Sequence, residues 1–207
     1  MNSPTFLLCE PNTWARIGLC ELVQSLYPND RQVPLVNVAT PYDLPNNMPP
    51  PVWILCSDSL FSPAGYDWLM ALATMKIMKG YTTLVCFSQT VSPTLTTYIA
   101  HLLGCRALTL DSMSHEDALL ALRHQLSTPD IPLFCSGLPP AEYRAVTSLL
   151  AGISVYRLCQ NLNISIKTLS GQKCKALARL NVPHLNRLHY LRNIAKRSLP
   201  VTCRYQP

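Results

Sequence analysis

Over the first 126 residues, short runs of consecutive apolar residues alternate with longer stretches whose apolar positions recur every three to four residues. Runs of this kind at 5–9 (TFLLC), 33–38 (VPLVNV), 52–56 (VWILC), 83–87 (TLVCF) and 107–110 predict five strands. The periodic stretches at 14–27, 66–78, 94–103 and 115–126 predict helices, the first opened by Asn12 or Thr13 as N-cap. Continuously apolar strands separated by helices mean a parallel sheet covered on both faces. One connection is too short for a crossover helix: residues 39–51 carry five prolines, so an irregular or one-turn element is expected there. Five strands in this grammar suggest the flavodoxin-like order 2-1-3-4-5, with a ligand site outside the carboxyl ends of the strands.

Those ends read Cys9-Glu10, Cys56-Ser57-Asp58 and Phe87-Ser88. The layout over residues 5–126 resembles a bacterial receiver domain. The resemblance implies a carboxylate nucleophile after strand three, an acidic pair for a divalent cation after strand one, a hydroxyl after strand four and a lysine after strand five. Here the nucleophile position holds Cys56, the pair is reduced to Glu10, and Leu110 or Asp111 stands where lysine belongs; Ser88 alone is intact. Asp58 could restore the chemistry by a two-residue slip, which makes a phosphorylation-controlled regulator the alternative reading. Against it, Asp111 would repel a phosphoryl group. The expectation is a pseudo-receiver in which Glu10, Asp58 and Asp111 are solvated loop acids, with no metal, no cofactor and no catalytic residue.

Charge changes the picture in the remaining chain. The net charge of +6 conceals ten acids against six Lys or Arg in residues 1–137, and one acid, Glu142, against eleven Lys or Arg in residues 138–207. Such a segment repels itself unless it meets a polyanion, and a nucleic-acid backbone is the commonest one. With 48% apolar and 14% charged residues the chain is not a disordered one. Its longest apolar runs fall far short of the roughly 18–20 residues of a membrane span. The nine cysteines are scattered without a C-x-x-C pair and read as core residues of a reducing cytoplasm. The five histidines have no nucleophile at partner spacing, so no enzyme is predicted.

After an aperiodic linker at 128–137 come a helix from Pro139 or Pro140 to Gly152, a second over 154–162, a turn at Asn163-Ile164, and a third opened by Ser165 and ending before Asn181. In the third, Leu169, Ala176, Leu177 and Leu180 form the core stripe, while Thr168, Gln172, Lys175 and Arg179 form a second, donor-rich stripe. This is the signature of a helix-turn-helix whose third helix enters the major groove.

Leu138, Glu142, Gly152, Ser165, Lys167, Thr168, Arg179 and Leu180 resemble the DNA-binding domain of the LuxR/FixJ (NarL-type) regulators. The string from Ile166 to Val182 resembles still more closely the response regulator of the Rcs phosphorelay and its auxiliary coregulators. Tyr156-Arg157-Leu158 departs from the family's acid-isoleucine-alanine turn. The resemblance implies DNA contacts from Lys167, Thr168, Ser170, Gly171, Gln172, Lys173, Lys175 and Arg179: phosphates for Lys167, Thr168, Lys173 and Arg179, base edges for Gln172 and Lys175. A fourth helix over 185–196, with Leu185, Leu188, Leu191 and Ile194 on one side, serves in this family as a dimer contact; simple closure of the core is the other reading.

The expectation is thus an α/β pseudo-receiver at 1–127, a linker, an all-α four-helix DNA-binding domain at 138–197 and a loose tail at 198–207. The function expected is a cytoplasmic, DNA-bound and nucleoid-associated transcription regulator that needs no receiver phosphorylation. Its partners would be double-stranded DNA and either a second copy or a LuxR/FixJ-type response regulator, and no membrane.

Overall fold

A computed structural model describes residues 5–27, 35–45, 48, 51–75, 82–88, 90–111, 114–127 and 136–199. The chain forms two compact units, one from Met1–Val91 with Gly104–Phe134, the other from Ser92–Leu103 with Cys135–Pro207.

The first unit is built on five parallel strands, β1 (Thr5–Leu8), β2 (Leu35–Asn37), β3 (Val52–Ser57), β4 (Thr82–Ser88) and β5 (Arg106–Asp111). They lie in the order β2-β1-β3-β4-β5, which is the flavodoxin-like order expected. Pairing puts Phe6 opposite both Leu35 and Trp53, and Val85 opposite both Leu55 and Leu108. On one face Phe6, Leu8, Trp53, Leu55, Val85 and Leu110 join Leu19, Leu22, Val23 and Leu26 of α1 (Thr13–Leu26) and Ala118 and Leu122 of α4 (His115–Ser127) in a single core. Leu7, Ile54, Leu84 and Cys86, which alternate with these, are buried as well, as a doubly covered sheet requires. Asn12 opens α1 by accepting from the amides of Trp14 and Ala15. The proline-rich link between β2 and β3 contains a single 3-10 turn, Pro41–Asp43, closed by the Asp43 carboxylate on the amide and hydroxyl of Thr40. Helix α2 (Tyr66–Thr74) ends earlier than its apolar periodicity suggests, because Met75 leaves helical geometry; positions 76–78 lie outside the described residues.

The second unit contains α5 (Pro140–Leu150), α6 (Val155–Leu162), α7 (Ile166–Arg179), a 3-10 segment Leu185–Leu191 and α8 (Arg192–Ser198). Each boundary has a local cause. Gly152 adopts φ +93 after α5, where a side chain would be strained and would meet the Arg192 guanidinium. Ser154 caps α6, Asn163 in left-handed geometry ends it, and the Ser165 hydroxyl accepts from the Thr168 amide to start α7. Ala145, Leu158, Cys159 and Leu169 bind α5, α6 and α7 into one core.

Two expectations need correction. The fourth helix is not continuous over 185–196: its first seven residues are 3-10, and α-helical geometry begins only at Arg192. Leu188, Leu191 and Ile194 are buried in the unit's own core and Leu185 is half-buried, as closure of that core requires. The second unit also includes an element that a contiguous division would leave with the sheet, α3 (Pro93–Leu103). The Tyr98 and Thr147 hydroxyls bond at 3.1 Å, and the Ser92 hydroxyl donates to the Leu180 carbonyl at 3.0 Å. The linker positions 128–135 and the tail positions 200–207 lie outside the described residues.

Candidate nucleic-acid interface and the carboxyl edge of the sheet

Helix α7 presents the surface with the strongest chemical bias. Lys167, Thr168, Ser170, Gly171, Lys175 and Arg179 are exposed, and Gln172 and Lys173 are half-buried on the two flanks. Leu169, Ala176 and Leu177 face inward, so the apolar and polar stripes separate as their spacing demands. Cys174 and Ala178 also lie on the exposed face. Their spacing from Lys167 and Gly171 puts them there, but their small apolar side chains concealed it. A Cβ added at Gly171 would meet no heavy atom within 4 Å, so the backbone is open to close approach on that side. The Ser165 hydroxyl caps one first-turn amide of α7, and helix starts of this kind favour anions.

Arg179 is placed differently from the rest. Its Nε lies 3.1 Å from Oε2 of Glu142, the sole acid of the basic segment, whose side chain is almost fully buried at the start of α5. Arg179 therefore joins the end of α7 to the start of α5. The Arg179 side chain is still more than half exposed, and a guanidinium carries five donors, of which this contact uses one. Gln172 turns its carbonyl oxygen into the protein, where it finds no hydrogen-bond partner among the described residues.

At the carboxyl edge of the sheet, Glu10 overturns its reading as a solvated loop acid, since it is fully buried. One carboxylate oxygen accepts from the Ser57 amide at 2.7 Å, the other from the Asn12 amide at 2.8 Å and the Ser59 hydroxyl at 2.5 Å. These bonds tie the end of β1 to the end of β3. The three donors satisfy the hydrogen-bonding needs of the buried carboxylate. Asp58, half-buried, accepts from both the amide and the hydroxyl of Thr90 at 2.8 Å. Cys56 is fully buried with its thiol directed at the Val85 carbonyl, and burial pushes that thiol well above its ordinary pKa, as it does for Cys9. Ser88 and Asp111 are register partners at the ends of β4 and β5.

At this edge the Glu10 carboxylate is held by internal donors, Cys56 is a buried thiol whose pKa burial raises, and Asp111 ends β5. The participation of Ser57, Ser59 and Thr90 was invisible in sequence, because nothing in a serine-rich loop says which carboxylate it serves.

No family model matches the chain, and no curated protein matches it. Among solved structures, the RcsB response regulator of Salmonella typhimurium overlays with a TM-score of 0.42 at 17% identity, covering 94% of this chain and 99% of that one. A two-component response regulator RcsB–DNA complex overlays with a TM-score of 0.40 at 16% identity, covering 92% and 99%. Full-length FixJ from B. japonicum gives 0.36 at 14% identity, covering 95% and 99%. Overlays this loose leave the functional reading to the residues themselves. No described helix is long and apolar enough to cross a membrane.

Proposed function

We propose that this protein is a DNA-binding transcription regulator whose receiver-like unit works without phosphorylation. The observation that carries the reading is the exposed face of α7: cationic and hydroxyl side chains around an open glycine, with no acid among them, on the second of two helices joined by a tight turn. A helix face that is merely solvated mixes acids with bases; one that docks on phosphates does not. In this reading Lys167 and Thr168 at the helix start bind phosphates, with Lys173 and the outward donors of Arg179 beside them. Lys175 is the foremost base-edge residue, Gln172 lies at the margin of that contact, and Ser170 and Gly171 permit close approach. The protein acts in the cytoplasm, on the nucleoid.

One such helix reads only a few base pairs, so a useful site needs two, about 10 base pairs apart. The reading therefore includes a dimer, either of this chain or with a LuxR/FixJ-type response regulator. Because Leu188, Leu191 and Ile194 are enclosed, that dimer forms through other surfaces. Regulation through Asp58 phosphorylation is disfavoured by the two bonds that its carboxylate already accepts from Thr90.

The test is fluorescence anisotropy of the full chain on duplexes selected from a random pool, repeated over a salt series. Enrichment of a defined motif, with affinity falling steeply as salt rises, is the expected result. Absence of both enrichment and salt dependence would remove the reading.

A further inference from the structure

Arg192 opens α8, yet its side chain reaches back to the turn between α5 and α6. A Cβ added at Gly152 would lie 3.0 Å from Nη2 of that guanidinium and 3.5 Å from its Nε, so the group rests on the bare backbone of the glycine. It lies there at the C-terminal end of α5, where the polarity of the helix favours a cation. Gly152 thus serves two ends: it supplies the φ of +93 that closes α5, and it leaves room for the guanidinium above it. Arg192 is exposed, and among the described residues no hydrogen bond or ion pair engages its guanidinium. A preplaced fork of five donors is therefore open to an acceptor from outside.

The surroundings specify that acceptor. Two residues beyond Gly152, Ser154 caps α6, and the first turn of α6 carries exposed Tyr156 and half-buried Arg157. The second unit exposes no acid among its described residues, since Glu142 is nearly fully buried. Nothing acidic in the unit competes for these donors, and an anion is what they fit. In a helix-turn-helix the first helix crosses the sugar-phosphate backbone while the second lies in the groove. The start of α6 then stands at the rim of the groove that α7 enters.

We infer that Arg192 binds a DNA phosphate, with Tyr156 and Arg157 as neighbouring donors, at a contact separate from the outer face of α7. The inference rests on the DNA-binding reading and extends it to the backbone flanking the bases that α7 reads. Phosphate contacts of this kind fix register and carry no sequence information of their own.

Anisotropy of the full chain, on the selected duplex and on random sequence, tests the contact. Arg192→Gln should weaken both by about threefold to tenfold and lower the salt slope by about one. Arg192→Lys keeps the charge and should recover most of that loss. Arg157→Gln leaves the packing on Gly152 intact and should weaken both duplexes in the same way, which keeps the test open if Arg192→Gln melts early. Arg187→Gln removes an exposed cation elsewhere in the unit and should cost less than about twofold. A scan of single methylphosphonates along the selected duplex should find one position outside the motif that weakens the parent chain and leaves Arg192→Gln unchanged. Parental affinity and salt slope in Arg192→Gln and Arg157→Gln, losses in Arg187→Gln equal to theirs, or a scan with no position that depends on Arg192 would overturn the inference and leave α7 as the DNA-binding helix. A parent chain that binds neither duplex would remove both readings.

Discussion

The hydroxyls of Tyr98 and Thr147 lie 3.1 Å apart, and neither side chain reaches solvent. One belongs to α3, which the chain order places between two strands of the sheet, and the other to the middle of α5. The Tyr143 ring meets Tyr98 edge-on at 5.8 Å and His101 at 4.9 Å, so three aromatic rings pack around the bond. Helix α3 is thus a structural part of the C-terminal unit.

Removing the bond while keeping the ring isolates its contribution. Tyr98→Phe leaves the Thr147 hydroxyl buried without this partner and should cost about 1–3 kcal/mol. Tyr98→Ala, which also empties the ring's volume, should cost about 3–5 kcal/mol. Urea denaturation checks both, and adding Thr147→Val to Tyr98→Phe should recover part of the loss. A fragment starting at Ser136 lacks α3 altogether and should melt below the full chain. Equal stability of Tyr98→Phe and the parent protein would show that the hydrogen bond contributes nothing.

Glu10 makes a second structural prediction. Its carboxylate accepts three hydrogen bonds, so Glu10→Gln puts an amide donor where at least one N–H or O–H already points. The expected cost is about 2–3 kcal/mol, the range for a charged acceptor lost in a buried site. The same arrangement predicts that acetyl phosphate with Mg²⁺ leaves the intact mass unchanged. A stoichiometric phosphoryl adduct that disappears in Asp58→Ala would contradict the account of this edge.

How much of this could be read from the chain depends on how local each cause is. The strands were legible because apolar runs and turn residues are local signals, and the starts of α6 and α7 because Ser154 and Ser165 cap their own helices. Glu10 was not legible as a buried group, since its donors at Ser57 and Ser59 lie 47 and 49 residues away. The place of α3 was hidden for the same reason: Leu95, Ile99 and Leu102 announce an apolar helix face but not the surface it covers. Within α7, periodicity separated the inner from the outer face, yet it could not show that Arg179 is held by Glu142 or that Gln172 turns inward.

Stability should have a plateau bounded on both sides by buried groups. Burial raises the thiols of Cys9 and Cys56 from an ordinary value of 9.0, raises the Tyr98 phenol, and pushes Tyr190 up to about 12 from 10.0. The unfolded chain then releases these protons while the folded chain retains them, so stability falls as pH rises above about 9. His101 is shifted downward from 6.5 by burial. The unfolded chain takes up that proton first, so this group's contribution is lost as pH falls below about 6.5. Melting temperatures between pH 5 and 11 should be highest between these limits, and His101→Phe should flatten the acid side. A melting temperature that climbs above pH 9 would refute the alkaline assignment.

On the proposed function, the lysines of α7 should separate specific from general DNA affinity. Lys175 is exposed at the middle of the outer face, where a helix in the major groove meets base edges. Lys173 is half-buried on the flank, where a strand's phosphates pass. Lys175→Ala should therefore cost about 1–3 kcal/mol on a selected site and much less on random sequence. Lys173→Ala should weaken both by similar amounts and reduce the salt slope by about one. Arg179→Ala should also lower stability, because it leaves the buried Glu142 carboxylate without its cation. Anisotropy on the two kinds of duplex, with a melting curve for each variant, distinguishes these outcomes. If Lys175→Ala and Lys173→Ala lost affinity equally on selected and random DNA, α7 would be a phosphate-binding helix without base reading.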